Sequence, residues 1–227
     1  MILVIGASGN LGSEILRELS EDNKKTISLG RKEPLGVVNN IHVNVDILDL
    51  ETFSNILDEV FSTHNIEGVI YNSGYTVNCR SLAELKSQDI EDMLTINFKG
   101  YLALLQKIEL LYESLDQMRV VYISSNSLVT LNASNTLYIA TKSASEAISL
   151  STTKRLGKKI IINIIRPGLM QSSMTEERFT KVRDDIIKKT PSEKLVLPSQ
   201  VARTIMDILK SDVLIGQIVS VDGGRTI

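Results

Sequence analysis

Short, wholly apolar runs alternate along this chain with segments whose apolar residues recur at helical spacing. Apolar runs of roughly four to eight residues are typical of buried strands, whereas a repeat at i, i+3 and i+4 is typical of an amphipathic helix. The first pair is the run ILVI at residues 2–5, followed by Leu11, Ile15, Leu16 and Leu19. Strands that are apolar throughout and separated by helices predict a parallel sheet covered on both faces.

The same pattern predicts the other elements of the chain. Strands are predicted over residues 26–29, 41–45, 68–72, 119–125, 159–167 and 216–224, and helices over 87–115, 138–156, 201–210 and a segment beginning near Asp49. This order predicts an α/β fold with right-handed crossovers, a doubly wound parallel sheet of about seven strands with helices on both faces. No linker, repeat or low-complexity segment interrupts it, so residues 1–227 are predicted to form a single domain.

Residues 169–199 are the exception to the alternation, because they are polar and carry both charges densely. We interpret them as a partly helical flap over the carboxyl end of the sheet, where ligands of such folds bind.

The composition of the chain argues against a nucleic-acid partner. Apolar residues make up 43% of the 227 residues and charged residues 23%, which is ordinary for a globular protein. The net charge of -2 provides no field for a polyanion, and no long Lys/Arg run is present, so nucleic acid is not an expected partner.

The single cysteine, Cys79, cannot form a disulfide within the chain and fits a reducing compartment. No basic segment precedes the first strand, and the most apolar run, KIIINIIRPG, is too short to cross a bilayer. We therefore expect a cytoplasmic protein with no membrane partner. His42 and His64 are not spaced as metal ligands, and no metal site is predicted.

Gly6, Gly9 and Gly12 follow one another at even intervals between the first strand and the first helix. In that setting one glycine allows a tight turn, one lets a pyrophosphate approach the backbone, and one lets the helix pack closely on the sheet. The helix start would present N–H groups and a partial positive charge to phosphates. The alternative is a structural turn that binds no ligand, since such glycine motifs often match by chance.

The segment YIATK places Tyr138 and Lys142 one helical turn apart, so that both side chains lie on one face. A free tyrosine has a pKa of about 10 and exchanges protons poorly near neutrality. A fixed ammonium nearby is expected to lower that pKa. Such a pair could protonate a developing alkoxide or deprotonate an alcohol.

Further motifs follow in a fixed order. They are YNSG at residues 71–74, NFKG beginning at Asn97, YISS ending at Ser125, RPGLMQSSM, and GQIVSVDGG near the end of the chain. Ser125 precedes Tyr138 by thirteen residues. Together with YIATK, this order resembles the short-chain dehydrogenase/reductase family in its compact, one-domain branch. The resemblance runs from residue 1 to about residue 224 and implies a Rossmann-type dinucleotide-binding fold.

The resemblance implies roles for four side chains. Tyr138 would be the acid/base, and Lys142 would hold the nicotinamide ribose hydroxyls while acidifying Tyr138. Ser125 would hydrogen-bond the substrate carbonyl, and Asn97 would organise a proton-relay water or, alternatively, mend a kink in its helix. Ser124 alternates to the other side of the strand and is interpreted as structural. Donors preset around the carbonyl oxygen stabilise the transition state, because hydride delivery builds negative charge there.

The resemblance also implies a set of cofactor contacts near the carboxyl ends of the strands. Besides Tyr138 and Lys142, these are Gly6, Ser8, Gly9, Asn10, Leu11, Gly12, Arg31, Asp46, Ile47, Asn72, Ser73, Gly74, Pro167, Gly168, Leu169 and Ser172. The first turn would hold the pyrophosphate, and Asp46 would meet the adenine unless it serves only as a turn residue. Ser172 stands where the family usually has Thr and keeps the hydroxyl.

The end of the second strand indicates which cofactor is used. Sites of this fold that prefer NAD carry an acidic residue there, whereas this chain has Gly30, Arg31 and Lys32. A guanidinium is suited to a 2′-phosphate, so we predict NADP(H) as the preferred cofactor, with NAD(H) possible. The alternative is that Arg31 and Lys32 are a solvated pair.

Three functions remain open from the sequence. The leading one is an NADP(H)-dependent oxidoreductase acting on a carbonyl/alcohol pair of a small-molecule substrate. A non-catalytic dinucleotide sensor is disfavoured by the intact catalytic set. A sugar-nucleotide epimerase or dehydratase, whose branch shares the even glycine spacing, is disfavoured because only about sixty residues follow RPG. Small residues on the helix after Tyr138 and the resemblance together predict a homodimer or homotetramer.

Overall fold

The computed structural model describes residues 1–77, 79, 81–131, 135–170 and 183–227. Its strands are β1 (Ile2–Ile5), β2 (Thr26–Gly30), β3 (Asn40–Asn44), β4 (Gly68–Tyr71), β5 (Met118–Ile123), β6 (Ile160–Pro167) and β7 (Ile218–Val221). These strands form one parallel sheet in the order β3-β2-β1-β4-β5-β6-β7. The predicted seven-stranded doubly wound sheet is confirmed.

Helices connect the strands on both faces of the sheet. They are α1 (Asn10–Glu21), α2 (Leu50–Thr63), α3 (Ser87–Leu94), α4 (Gly100–Leu110), α5 (Ser127–Thr130), α6 (Thr136–Leu156) and α7 (Pro198–Lys210). A π-helix, Thr95–Lys99, joins α3 to α4, two 3-10 turns cover Leu82–Glu84 and Tyr112–Ser114, and residues 183–188 are helical. In the described part of the chain, no helix is long and apolar enough to cross a membrane.

The core has two layers, one on each face of the sheet. Alternate strand residues such as Leu3 and Val4 point to opposite faces and are fully buried. One layer packs β-strand residues against α2 and α4, and the other packs them against α1 and α7. Each fully buried side chain of this size contributes about 1.5–3 kcal/mol relative to exposure, so these layers fix the sheet that carries the site.

The predicted helix over residues 87–115 is interrupted by the π-helix. The carbonyls of Ile96 and Asn97 accept hydrogen bonds from side chains outside the helix, from the Tyr71 hydroxyl at 2.7 Å and the Ser145 hydroxyl at 2.8 Å. These bonds compensate for the altered backbone ladder, and single π-turns of this kind are frequent at functional sites. The pattern of apolar residues did not reveal this interruption, because a π-turn shifts the helical repeat by only one residue.

The last strand is shorter than the predicted 216–224. Gly216, Gly223 and Gly224 have φ angles of +66°, +69° and +87°, which are incompatible with extended backbone. The glycines therefore limit β7 to Ile218–Val221 and turn the chain at both ends of the strand.

Candidate active site

The carboxyl ends of the strands enclose a cavity of about 560 Å³. Its wall includes the turn after β1, the ends of β2 and β4, the start of α6 and the segment after β6. The strand order reverses between β1 and β4, and ligands of open α/β sheets bind at such a switch point. The predicted contacts in this wall are Gly6, Ser8, Gly9, Asn10, Leu11, Arg31, Asp46, Ile47, Asn72, Ser73, Gly74, Ser125, Tyr138, Lys142, Pro167, Gly168 and Leu169.

The three evenly spaced glycines have different structural roles. Gly6 has a φ of +83°, and a Cβ there would lie 2.7 Å from the backbone nitrogen of Ser73. A Cβ on Gly12 would lie 2.5 Å from the carbonyl oxygen of Ala7, so Gly12 lets α1 pack on the turn, and it is not part of the cavity wall. Gly9 has nothing within 4 Å of its Cβ position and caps α1 without a side-chain bond. Open space at a helix N-terminus fits a phosphate.

Arg31 and Asp46 face each other at the β2 end of the cavity. Their closest atoms, Nη1 and Oδ2, are 3.9 Å apart, and the two side chains are 70% and 43% exposed. Asp46 Oδ1 also accepts a hydrogen bond of 3.1 Å from the backbone N–H of Leu48. The Arg31 guanidinium is therefore largely exposed to solvent and could contact a ligand in the cavity. Its carboxylate neighbour, Asp46, lies at the limit of ion-pair distance.

The residues after β4 connect the glycine turn to α6. The Asn72 side-chain amide donates to the carbonyl of Gly6 at 2.8 Å, which fixes the turn against the end of β4. Gly74 lies beside Lys142, because a Cβ on Gly74 would be 3.5 Å from the lysine Nζ. The predicted adenine end and the predicted catalytic end thus belong to one continuous wall.

Tyr138, Lys142 and Ser125 meet at the other end of this wall. Tyr138 and Lys142 lie one turn apart on α6 and are 9% and 2% exposed. The phenol shares a hydrogen bond with Ser125, whose hydroxyl accepts a further bond of 3.1 Å from the N–H of Ser127. Lys142 Nζ donates to the carbonyl of Ile123 at 2.8 Å. An acid, a hydrogen-bonding hydroxyl and a cation are therefore adjacent in the cavity.

Burial dominates the electrostatics of this pair. Burial raises the pKa of Tyr138 to about 12, and the bond from Ser125 opposes the shift. Burial lowers the pKa of Lys142 to about 7, and the charge of Glu146 opposes it. The sequence-based expectation of a lowered tyrosine pKa is wrong for the chain taken alone, because burial disfavours the phenolate by more than the hydrogen bond with Ser125 favours it.

Asn97 is fully buried in the π-helix and lies behind the cavity wall. Its side chain accepts from the N–H of Tyr75 and donates to the carbonyl of Tyr75, both at 2.8 Å, and it donates to Thr141 Oγ1 at 3.0 Å. Asn97 therefore joins the loop after β4 to α6.

Ser124 and Ser172 are the remaining serines singled out in the sequence. Ser124 is 4% exposed at the cavity wall, and its hydroxyl has no hydrogen-bond partner among the residues that the structure describes. A purely structural serine would be expected to bond its neighbours, so the sequence-based interpretation of Ser124 has no contact to support it. Ser172 lies outside the described residues.

The sequence did not reveal a cluster of three buried tyrosines beneath the site. Ring centroids are 5.1 Å apart for Tyr71 and Tyr101, 6.1 Å for Tyr71 and Tyr122, and 4.4 Å for Tyr101 and Tyr122. Tyr71 and Tyr122 are register partners on neighbouring strands. Their matching positions in the runs GVIY and RVVY were the available signal, but it becomes informative only once β4 and β5 are paired. In the described ranges, no group of three or more His, Cys, Asp and Glu could hold a metal.

Comparisons with known proteins agree with the fold. The profile of the family described as short chain dehydrogenase matches residues 1–183. The 3-oxoacyl-[acyl-carrier-protein] reductase FabG of Rickettsia prowazekii is 25% identical over 235 residues, covering 98% of this chain and 95% of the relative.

Solved structures show the same fold. A short chain dehydrogenase family protein from Francisella tularensis is 19% identical with a TM-score of 0.88, covering 99% of this chain and 98% of that one. The Pseudomonas aeruginosa RhlG/NADP active-site complex is 18% identical with a TM-score of 0.88, covering 100% and 96%.

Proposed function

Because this chain belongs to the short-chain dehydrogenase/reductase family, an oxidoreductase family, we propose that it is an NADP(H)-dependent enzyme. It transfers hydride between nicotinamide and a carbonyl/alcohol pair, and its main direction is reduction with NADPH. The substrate class is a ketone such as a 3-oxoacyl thioester, a small ketone or a sugar-derived ketone.

One observation carries this proposal. The hydrogen-bonded Tyr138 and Ser125, with Lys142 one turn away, lie in the wall of the same cavity as the open Gly9 turn. A sensor would need the turn but not the acid, the hydroxyl and the cation together. A reductase among the relatives and a solved neighbour in complex with NADP support the direction and the cofactor.

The residues of the cavity fit a dinucleotide. The space at Gly9, beside the N-terminus of α1, suits the pyrophosphate, and Arg31 suits a 2′-phosphate. Asn72, Ser73 and Gly74 would line the adenine ribose, and Lys142 would donate to the nicotinamide ribose hydroxyls. When bound, the dinucleotide supplies the hydride.

The protein's own contribution to the reaction is a proton and a set of donors. In the reductive direction Tyr138 gives its phenolic proton to the carbonyl oxygen, while Ser125 donates a hydrogen bond to the same oxygen. A pKa of about 12 keeps Tyr138 protonated at neutral pH, which is the form that reduction requires. The phenolate left behind is stabilised by the ammonium of Lys142. Asn97 acts as a positioning residue that holds Tyr75 next to this group, and its relay water remains a prediction.

The segment before α7 contributes to the substrate side of the cavity. Ile186, Thr190 and Lys194 lie in the cavity wall, and Val196 is buried in the core layer that includes α7. The flap predicted at 169–199 stays a proposal, within a single domain over 1–227, and its residues 171–182 lie outside the described residues.

The test is turnover by the purified protein. NADPH oxidation is measured with a panel of the three ketone classes and compared with NADH at equal concentration. We expect oxidation that depends on the ketone and is faster with NADPH. Tight NADPH binding without turnover of any carbonyl would favour the sensor and contradict the proposal.

A further inference from the structure

The aromatic ring of Tyr122 lies directly against the ammonium of Lys142. The lysine Nζ is 4.8 Å from the ring centroid, within the range of a cation–π interaction. Tyr122 is fully buried, and Lys142 is 2% exposed. Only backbone carbonyls otherwise accept from the ammonium, that of Ile123 at 2.8 Å and that of Ser73 at 3.4 Å. Within the described residues, these two carbonyls are the hydrogen-bond acceptors of the ammonium. The Tyr122 ring is therefore one of the main contacts of the Lys142 charge.

The orientation of the ring is fixed from three sides. Tyr101 packs on it at a tilt of 34° with the ring centroids 4.4 Å apart, and Tyr71 stacks on it with the centroids 6.1 Å apart. The Tyr122 hydroxyl donates to the carbonyl of Asn97 at 3.4 Å. The ring therefore cannot rotate away from Lys142 without losing packing and a hydrogen bond in the core.

Other titratable groups around Lys142 do not replace this contact. On α6, the Tyr138 ring is farther from the ammonium, with its centroid 5.9 Å from Nζ, and Glu146 follows one turn later. Glu146 forms a bidentate pair with Arg166 of β6, at 2.8 Å and 2.5 Å, so its charge, which raises the pKa of Lys142 against burial, is shared with that guanidinium. The π-helix contributes the neutral Asn97, and the loop after β4 contributes backbone around Gly74.

We propose that Tyr122 is a positioning residue for Lys142, whose ring face holds the buried lysine in its charged form and in place at the cavity wall. The negative face of an aromatic ring favours a cation over a neutral amine, most strongly where water is excluded. The catalytic consequence of this role rests on the proposed function, whereas the effect on the lysine itself does not.

The balance at Lys142 is sensitive to such a contact. Burial lowers the pKa of Lys142 to about 7, so that its charged and neutral forms have similar free energies near neutral pH. Loss of the ring would lower the pKa further and leave the lysine neutral over more of that range.

The test is an NMR titration of the Lys142 side chain in the protein without added cofactor, using isotope-labelled lysine and assignment by Lys142→Arg. Tyr122→Leu is expected to lower the titration midpoint by about one pH unit, and Tyr122→Phe by much less, because it keeps the ring. Tyr101→Leu is the matched control: it removes a neighbouring ring but leaves Tyr122 held by Tyr71 and by its bond to Asn97, so the midpoint should shift much less than in Tyr122→Leu.

Equal shifts in Tyr122→Leu and Tyr101→Leu would show a general packing effect and overturn the proposal, as would equal shifts in Tyr122→Leu and Tyr122→Phe. If Tyr122→Leu does not fold, fluorinated phenylalanine at position 122 weakens the ring face at nearly constant volume. The midpoint must then fall relative to Tyr122→Phe, and an unchanged midpoint contradicts the role.

The pH at which turnover changes should move with the NMR midpoint. A shifted midpoint in a protein that reduces no ketone would support the contact and reject the proposed function.

Discussion

Replacement of Arg31 by alanine is expected to weaken NADPH binding about tenfold and to leave NADH binding nearly unchanged. A hydrogen bond to a charged group contributes about 1.5–3 kcal/mol. Arg31 is 70% exposed and lies 3.9 Å from the Asp46 carboxylate, so solvent screening and competition with that carboxylate favour the lower end of this range. About 1.5 kcal/mol corresponds to a little over tenfold in Kd.

The assay is calorimetric titration of both cofactors at one ionic strength. Arg203→Ala is a matched control, because Arg203 is 68% exposed, is paired with Glu18 at 3.3 Å and does not contribute to the cavity wall. It should change neither affinity. Asp46→Asn should strengthen NADPH binding, since it removes a negative charge beside the 2′-phosphate. Equal losses of NADH and NADPH affinity in Arg31→Ala, or a wild-type preference for NADH, would refute this assignment.

Lys142 and the assembly state give the remaining predictions. Lys142→Ala should weaken both cofactor binding and turnover, because one ammonium serves both; unchanged cofactor affinity in a titration would remove its ribose role. The folded-state pKa of Lys142, about 7, lies below its unfolded value of 10.5, so the unfolded chain binds more protons between these values. Lys142 therefore makes the free energy of unfolding rise with pH in that window, by at most about 1.4 kcal/mol per pH unit. Denaturant unfolding of Lys142→Met should lack this contribution, and identical slopes in the two proteins would contradict it. Light scattering at micromolar concentration should show a dimer or tetramer, and a monomer would reject the predicted assembly.

Element type and order were predictable from this sequence because the core strands are apolar without interruption and the helices have a clear polar face. The strand ILVI and the α1 residues Leu11 to Leu19 show both patterns and are buried as expected. Boundaries were less predictable. The strand at 41–45 begins one residue earlier, at Asn40, because polar side chains also pair with β2 there, as Asn40 does with Ser28.

Features of the candidate site were predictable where they depend only on residues close together in the sequence. Tyr138 and Lys142 share a helix face through local spacing, and Gly9 opens α1. Properties that depend on several distant segments were not predictable. Tyr138 is buried, and its pKa is raised, by packing that segments distant in the sequence create together. The tyrosine cluster under Lys142 likewise forms only when β4 pairs with β5. Asn97 was identified, but its bonds to Tyr75 depend on the π-helix.

Turnover by Tyr138→Phe tests the central claim most directly. The substitution removes the transferable proton and almost no volume, so the cavity and its affinity for NADPH should remain nearly intact. Steady-state NADPH oxidation with the best ketone is compared between wild type and variant, and NADPH affinity is measured by titration on the same preparations. We predict turnover far below a tenth of the wild-type rate with cofactor affinity unchanged within about twofold, less than half of the 1.4 kcal/mol that a tenfold change represents. A variant that binds NADPH normally and keeps more than a tenth of the rate would show that Tyr138 is not the acid.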